Sequence, residues 1–368
     1  MKKDILLLFF IVGCTVINAQ DPHYEITGNI TGAEGAIFTL QKTVQGKTLN
    51  MNAAEINNGT FKMIGGSVPY PQMVRLTVID KKKSMFFFLE NAPVTITGTL
   101  DDLGSAKVTG SKTQDELYNL DDLLSSLLNE EKSKIEELQA AAKMGFKNKA
   151  ESLNSEVVVI DKKIREIRLQ FLKDNPKTFI APVVIQSMLN NVPASELDEL
   201  ISRMDPAVSA VPQMTEIRSR LAVLKSVEPG QKAPDFTLED VSGKPVSLSS
   251  VIGSRLLLID FWAGWCGPCR AENPNIVKIY KDYHSKGLDI LGVSLDRSMD
   301  EWKKAIDYDG LKWTQVSDLQ FWNSIAVKLY GVNSIPANFL LDEKGVIIAR
   351  NLRGEALRKK VAEILGEK

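Results

Sequence analysis

The spacing of apolar residues along the chain changes twice, and each change marks a different kind of element. From Tyr24 to Thr109, short runs such as YEITGNI, AIFTLQK, MVRLTVI and VTITGTL carry strand-type patterning and are broken at close intervals by Gly, Pro and Asn-Gly. This pattern predicts a small antiparallel β domain with a tight hairpin at Asn58-Gly59, where both residues tolerate positive φ. Lys81-Lys82-Lys83, between two runs, reads as a solvated turn or as edge-strand protection.

From Ser111 the period becomes helical. Leu117, Leu120, Leu124 and Leu127, and then Leu153, Val157, Ile160, Ile164, Ile167 and Phe171, recur at three- and four-residue steps. Such seams belong to two long amphipathic helices that pair with each other or with a second copy of the chain. Asn175-Pro176 ends the second helix, because proline disfavours helical geometry in the residue before it. Shorter helices are expected at Phe179 to Leu189, at Ser195 to Met204 with Ser195 as a cap, and at Pro212 to Val227. After Glu228-Pro229-Gly230 a continuous apolar strand, Leu256 to Phe261, runs straight into Trp262-Ala263-Gly264-Trp265-Cys266-Gly267-Pro268-Cys269-Arg270. The resulting division is a leader over 1–19, a β domain over 20–110, a helical region over 111–227 and a final α/β domain over 228–368.

Composition narrows the class. The 368 residues allow two or three domains. Lys+Arg at 45 against Asp+Glu at 46 leaves a net charge of -1, which argues against a nucleic-acid partner held through its phosphates. With 3 cysteines and 2 histidines the chain is no disulfide-dense scaffold and has little material for a metal site, so neither metal nor organic cofactor is expected. Lys2-Lys3 followed by the uncharged apolar run Ile5 to Ile17 has the form of an export signal, too short for a permanent membrane span. Two processing readings stand: cleavage after Ala19, giving a periplasmic protein, or lipidation at Cys14 in Ile11-Val12-Gly13-Cys14, giving a membrane-anchored one.

The remaining pair, Cys266 and Cys269, carries the chemistry. A Cys-x-x-Cys at a helix start sets its first sulfur over unpaired backbone N–H groups and the positive end of the helix dipole, which favours thiolate. Cys266 is therefore the expected nucleophile, and Cys269, one turn later, the thiol that resolves the mixed disulfide. Gly267-Pro268 adds no cation to stabilise the thiolate, so the pair belongs toward the reducing end of the potential scale. A zinc half-site lacks further ligands, and a purely structural disulfide would close too short a ring to constrain the unfolded chain much.

FWAGWCGPCR, with Asp260 just before it, resembles the active-site segment of thioredoxin, and CRAEN with Pro274 is similar to the extracytoplasmic TlpA/ResA-like branch. Tyr330-Gly331-Val332-Asn333-Ser334-Ile335-Pro336 and the following Asn338 to Asp342 resemble the cis-proline segment and closing hairpin of that fold. The resemblance covers roughly 227–368 and implies a thioredoxin-like domain with an insertion of one helix and one strand near Asp296 to Val316. It assigns Asp260 as the buried carboxylate that deprotonates Cys269, and Glu272 as a carboxylate beside the thiols or simply a favourable charge on its helix. A cis Pro336 would present Ile335 to an extended partner; Trp265, Gly267 and Pro268 would complete the substrate-binding surface, with Trp262 as packing. Gly292 stands where a lysine often neighbours the buried carboxylate, and Ala337 where a threonine often follows the proline. Ala263, three residues before Cys266, lacks the hydroxyl that a peroxiredoxin carries there.

The layout as a whole is similar to envelope thiol-disulfide oxidoreductases of Bacteroides-like bacteria. That likeness implies reduction of disulfides in envelope proteins, a membrane thiol reductant as electron donor, and a link to cytochrome c biogenesis. The alternatives are a disulfide isomerase, dimeric through the helical region, and a binding module whose redox domain is accessory. The leading two-thirds is expected to confer partner choice or dimerisation, with the cysteine chemistry autonomous in 228–368.

Overall fold

The computed structural model describes residues 23–366 apart from Gln45; the expected leader, with Cys14 and Ala19, lies outside them. Backbone contacts divide the chain into two compact units, residues 1–181 and 182–368.

The first unit begins with β1 (Tyr24–Thr31), β2 (Ile37–Val44), β3 (Lys47–Glu55), β4 (Thr60–Gly65), β5 (Gln72–Val78), β6 (Lys83–Leu89), β7 (Pro93–Thr99) and β8 (Lys107–Thr109). They form two four-stranded sheets, ordered β4-β1-β7-β8 and β3-β2-β5-β6. Inward-facing residues including Ile26, Phe38, Leu40, Phe87 and Ile96 build one shared core. The ladders are antiparallel except for β1 with β7, which run parallel. Asn58 and Gly59 both have positive φ, and the Glu34 carboxylate accepts from both their N–H groups at 3.0 Å. The tight turn is there, but the strands on either side of it diverge. Asn57 and Thr60 close the expected two-residue hairpin by exchanging N–H···O bonds at 2.9 and 3.2 Å, but beyond that one bridge β3 pairs with β2 and β4 with β1, so the turn also carries the chain from one sheet to the other. Lys82, also at positive φ, sits in the turn between β5 and β6.

Helices α1 (Lys112–Lys143) and α2 (Lys147–Asp174) follow. Ser111 caps α1 by accepting from the Gln114 N–H at 3.1 Å, and Gln114 in turn accepts from the Phe88 N–H at 3.0 Å, tying the helix start to β6. Leu120, Leu124, Leu153, Ile160, Ile164 and Leu172 are buried between the two helices and their surroundings. The middle of the seam is thus covered within one chain, whereas Leu117, Leu127, Val157, Ile167 and Phe171 are only half-buried. Val158 and Val159 face outward.

The second unit takes the four shorter helices, so those expected over 111–227 are shared between the units. They are α3 (Ala181–Met188, beginning at the division), α4 (Ala194–Ser202), α5 (Pro206–Ser209) and α6 (Pro212–Ser226). Ser195 does not cap α4. Pro193 holds the cap position without a side-chain bond, and Glu228 Oε1 accepts from the Ala194 and Ser195 N–H groups at 2.6 and 3.3 Å. A carboxylate at a helix N-terminus does what the hydroxyl was expected to do, and adds a favourable charge.

Beyond them lie β9 (Thr237–Asp240), β10 (Pro245–Ser247), α7 (Leu248–Val251), β11 (Leu256–Trp262), α8 (Gly267–Tyr283), β12 (Leu288–Ser294), α9 (Met299–Asp309), β13 (Thr314–Ser317), α10 (Ile325–Leu329), β14 (Ala337–Asp342), β15 (Ile347–Arg350) and α11 (Gly354–Leu365). The sheet order is β10-β9-β13-β12-β11-β14-β15. β11 is central, parallel to β12 and antiparallel to β14, and every one of its residues is buried. That is why LLLIDFW reads as a continuous apolar run interrupted once. The expected insertion is α9 and β13, the strand entering the sheet between β12 and β9.

The hairpin makes a direct test of the seam. Ile164→Ala should cost about 2–4 kcal/mol of local stability, and Val158→Ala less than about 0.5 kcal/mol. Amide hydrogen exchange along α1 and α2 reads this; equal effects at the two positions would contradict the packing.

Candidate active site

Strand β11 delivers the chain to a tight turn, in which the Cys266 N–H donates to the Ala263 carbonyl at 3.1 Å. Cys266 has extended backbone angles and is the N-cap of α8, and Pro268 occupies the first turn, where its missing N–H costs nothing. The side chain that accepts from the helix is a sulfur: the Cys269 N–H points at Cys266 Sγ over 3.2 Å. A thiolate here gains both that bond and the helix dipole. Cys266 and Cys269 are joined as a disulfide, Cys269 the more deeply buried.

The loop is held from the insertion side. The Gly264 N–H donates to both oxygens of Asp296, at 3.1 and 2.9 Å, and the Ser294 hydroxyl donates to the same carboxylate at 2.8 Å. Arg270, on the first turns of α8, donates to the Gly264 carbonyl at 3.1 Å and makes a two-bond pair with Asp309 at the end of α9. Asp309 also accepts from Asn273 at 2.6 Å. Sequence reading missed Asp296 and Asp309. A Ser-x-Asp after an apolar strand was the available signal for the first; nothing local marks the second.

On the opposite side of the sulfur stands the 331–336 loop. The Ile335-Pro336 peptide is cis, and the Ile335 carbonyl oxygen lies 3.8 Å from Cys266 Sγ. Arg353 donates to the Pro336 carbonyl. The short helices steady the same loop: Arg220 donates to the Gly331 carbonyl at 3.4 Å, and Asn333 to Asn190 at 3.0 Å. Residues 182–227 therefore belong to the scaffold of the site, which a boundary at 228 leaves out. Trp265 is 48% exposed beside the sulfur and packs on Phe321 and Trp322, with ring centroids 5.2 and 6.4 Å away. Gly267 and Pro268 are exposed next to it. Trp262 is buried, as expected of packing, and its indole N–H donates to Gln315 Oε1 at 2.9 Å.

Asp260 is 2% exposed in the middle of β11, and its Oδ1 has no hydrogen-bond partner among the described residues. Burial, reinforced by the Glu272 charge and opposed by Arg353, pushes its carboxyl up to about 7. Glu272 is only half-buried and is turned away to α11: its Oε1 accepts from the Gly354 N–H at 2.7 Å and from Asn275 at 2.8 Å. It acts on Asp260 through charge while capping a neighbouring helix, and among the described residues it makes no hydrogen bond to either sulfur.

Residues 229–350 match the AhpC/TSA family, and 24–117 match a domain of unknown function, DUF4369. The thiol-disulfide oxidoreductase ResA of Bacillus thuringiensis is 30% identical over 141 residues, 38% of this chain and 79% of that protein. The thioredoxin-like protein YneN of Bacillus subtilis is 38% identical over 124 residues, 33% of this chain and 69% of that protein. Among solved structures, the thioredoxin domain of a thiol-disulfide oxidoreductase from Bacteroides vulgatus is 36% identical, covering 38% of this chain and 100% of that one, with a TM-score of 0.36. With a capped Cys-x-x-Cys at the end of a buried central strand, and with relatives matched over most of their length, the chain belongs to the ResA-like thiol-disulfide oxidoreductases of the thioredoxin fold.

Proposed function

We propose that the protein reduces disulfides of envelope proteins outside the cytoplasm, working as a dithiol that a membrane thiol reductant recharges. The observation that carries this reading is Cys266 Sγ at the cap of α8, within 3.8 Å of the Ile335 carbonyl. A partner segment extended along Ile335, with Trp265, Gly267 and Pro268 as its rim, would bring its own disulfide to that sulfur. The Cys266 thiolate attacks one partner sulfur, forming a mixed disulfide and expelling the other as a thiolate that takes up a proton. Cys269 then gives its proton to Asp260 and attacks Cys266 Sγ. The Cys266–Cys269 disulfide forms, the partner's second thiolate leaves, and two electrons have passed to the partner. Glu272 contributes by its charge on Asp260, not as a sulfur contact. The steps call for no metal or organic cofactor. Export through the leader, with either the Ala19 or the Cys14 reading, supplies the compartment. Ala263, buried and without a hydroxyl, speaks against peroxide chemistry at Cys266.

Cys269→Ser should accumulate mixed disulfides with partner proteins and Cys266→Ser should not, because only the first keeps the attacking thiolate. Non-reducing gels of cell-envelope extracts read the difference, and equal trapping by both variants would remove the assignment of roles.

Arg270 is committed to Asp309 and Gly264, and Gly267-Pro268 brings no cation, so the potential should fall nearer thioredoxin, about −270 mV, than DsbA, about −120 mV. Equilibration with glutathione giving a value above about −180 mV would favour isomerisation over reduction.

Because Asp260 must be ionised to accept a proton, resolution of the mixed disulfide should speed up as pH rises through about 7, and Asp260→Asn should abolish that rise. The same shift bears on stability. A carboxyl whose folded value lies above its ordinary 3.8 stabilises fully below that value, and the contribution is lost as pH rises through about 7. Asp260→Asn should therefore raise the Tm of the disulfide form at pH 8 and change it little near pH 4; an equal effect at both would show that the buried charge is not the cause.

A further inference from the structure

The strand registers line up a transverse row across the sheet: Gln315 on β13 opposite Gly292 on β12, Gly292 opposite Asp260 on β11, and Asp260 opposite Asn338 on β14. Registered neighbours project to the same face, so these residues share the face that Asp260 occupies. Gln315, Asp260 and Asn338 are each at least nine-tenths buried. The row is a polar stripe through the apolar core of the domain.

The gap in the row is filled from next door. A Cβ built on Gly292 would fall 2.1 Å from Gln315 Oε1, 2.5 Å from its Cδ and 2.7 Å from its Nε2. The amide of Gln315 therefore lies over Gly292, about one strand spacing, roughly 5 Å, from β11. Its orientation is fixed by chemistry. The Trp262 indole can only donate, and it donates to this amide, so the end it meets is the oxygen and the NH2 points away from it. That Nε2 is buried and without a partner among the described residues, as is Asp260 Oδ1. The other donors nearby already have acceptors. Asn338 gives its NH2 to the Leu352 carbonyl at 2.6 Å and accepts the Leu352 N–H at 3.0 Å, and the Trp262 N–H is spent on Gln315 itself. Two buried atoms of opposite hydrogen-bonding character thus stand unpaired on β13 and β11, with only the glycine of β12 between them, a costly arrangement for either one alone.

We propose that Gln315 is a positioning residue for the proton transfer: seated over Gly292 and oriented by Trp262, it donates through Nε2 to the Asp260 carboxylate by way of one water, and favours the ionised form that receives the Cys269 proton. The inference rests on the reading of Asp260 as that acceptor. The charged groups acting on Asp260 are Glu272 from α8 and Arg353 from the approach to α11, and the redox pair itself lies on α8; β12, β13 and β14 contribute only Gly292, Gln315 and Asn338, none charged. Within the sheet, the amide is then the polar group through which the protein tunes the acceptor.

The test uses the full chain carrying a mixed disulfide between Cys266 and a nitrothiophenol, prepared at low pH. After a pH jump, release of the coloured thiolate reports attack by Cys269. Gln315→Met keeps the length of the side chain and removes the donor. Gly292→Ala keeps Gln315 but drives its amide out of place, and serves also if the first variant folds poorly. Each should move the acid limb of the rate profile upward by about one pH unit, the order expected for one lost hydrogen bond to a charge, so that below the limb the rate falls about tenfold. In an Asp260→Asn background neither should shift the profile. Rates lowered equally at all pH values, with the limb unmoved, would assign Gln315 a merely structural part and overturn this inference while leaving Asp260 as the acceptor. A limb that survives Asp260→Asn would overturn both.

Discussion

A helix cannot begin without something to receive its first N–H groups, and here the group that receives one is the reactive sulfur. Cys266 is at once the cap of α8 and the proposed nucleophile, so the requirement that stabilises the helix start would also stabilise its thiolate. The arrangement works only if the turn from Ala263 to Cys266 stays in one conformation, because a cap displaced by an ångström is neither a cap nor an activated thiol. Asp296 on Gly264, and the Arg270 pair with Asp309, hold that turn through groups that the inserted α9 and the loop before it provide. The insertion therefore contributes to the redox site without touching the sulfur.

The second constraint is the register of the central sheet. Shifting β11 by one residue would exchange its faces and turn Asp260 away from the Gln315–Asn338 row, so the buried carboxylate is fixed by the same ladders that build the core. Asp260 alone breaks an otherwise apolar strand, and in the cost of its burial lies its use, since desolvation lifts it into the range where it can trade protons with a thiol.

What the sequence disclosed and what it withheld follow a physical division. Cys266, Cys269, Asp260 and the Ile335-Pro336 segment were legible because each sits in a short motif, strand then turn then helix or turn then strand, whose local chemistry is self-contained. The two long helices were legible from Leu124 and Ile164 because a buried stripe must repeat with the helix. Asp296, Asp309 and Gln315 were not, since each acts across tens of residues and carries no periodic signature. Glu228 replaced Ser195 as the cap of α4 for the same reason: a local rule names a suitable hydroxyl, but a carboxylate brought in by the tertiary fold reaches the same N–H groups and brings charge with it. The Asn58-Gly59 hairpin is there, closed by the Asn57–Thr60 bridge, but its strands go on to different sheets, because turn chemistry fixes the reversal of the chain and not the partner each strand takes afterwards.

Proton and electron movement at this site are coupled in a way that no single residue's titration expresses. While the disulfide is closed, Asp260 meets only burial, Glu272 and Arg353. Once the pair is reduced, a negative charge on sulfur and a negative charge on Asp260 disfavour each other, and in the proposed mechanism the proton that leaves Cys269 raises the affinity of its acceptor at the moment of transfer. The apparent values then belong to the carboxyl and the thiol jointly. A neutral donor beside the carboxylate moderates that coupling, because it supports the ionised acid without adding a charge that would trap it. Gln315 over Gly292 meets this requirement as a fixed ammonium would not, and the glycine is what makes room for it.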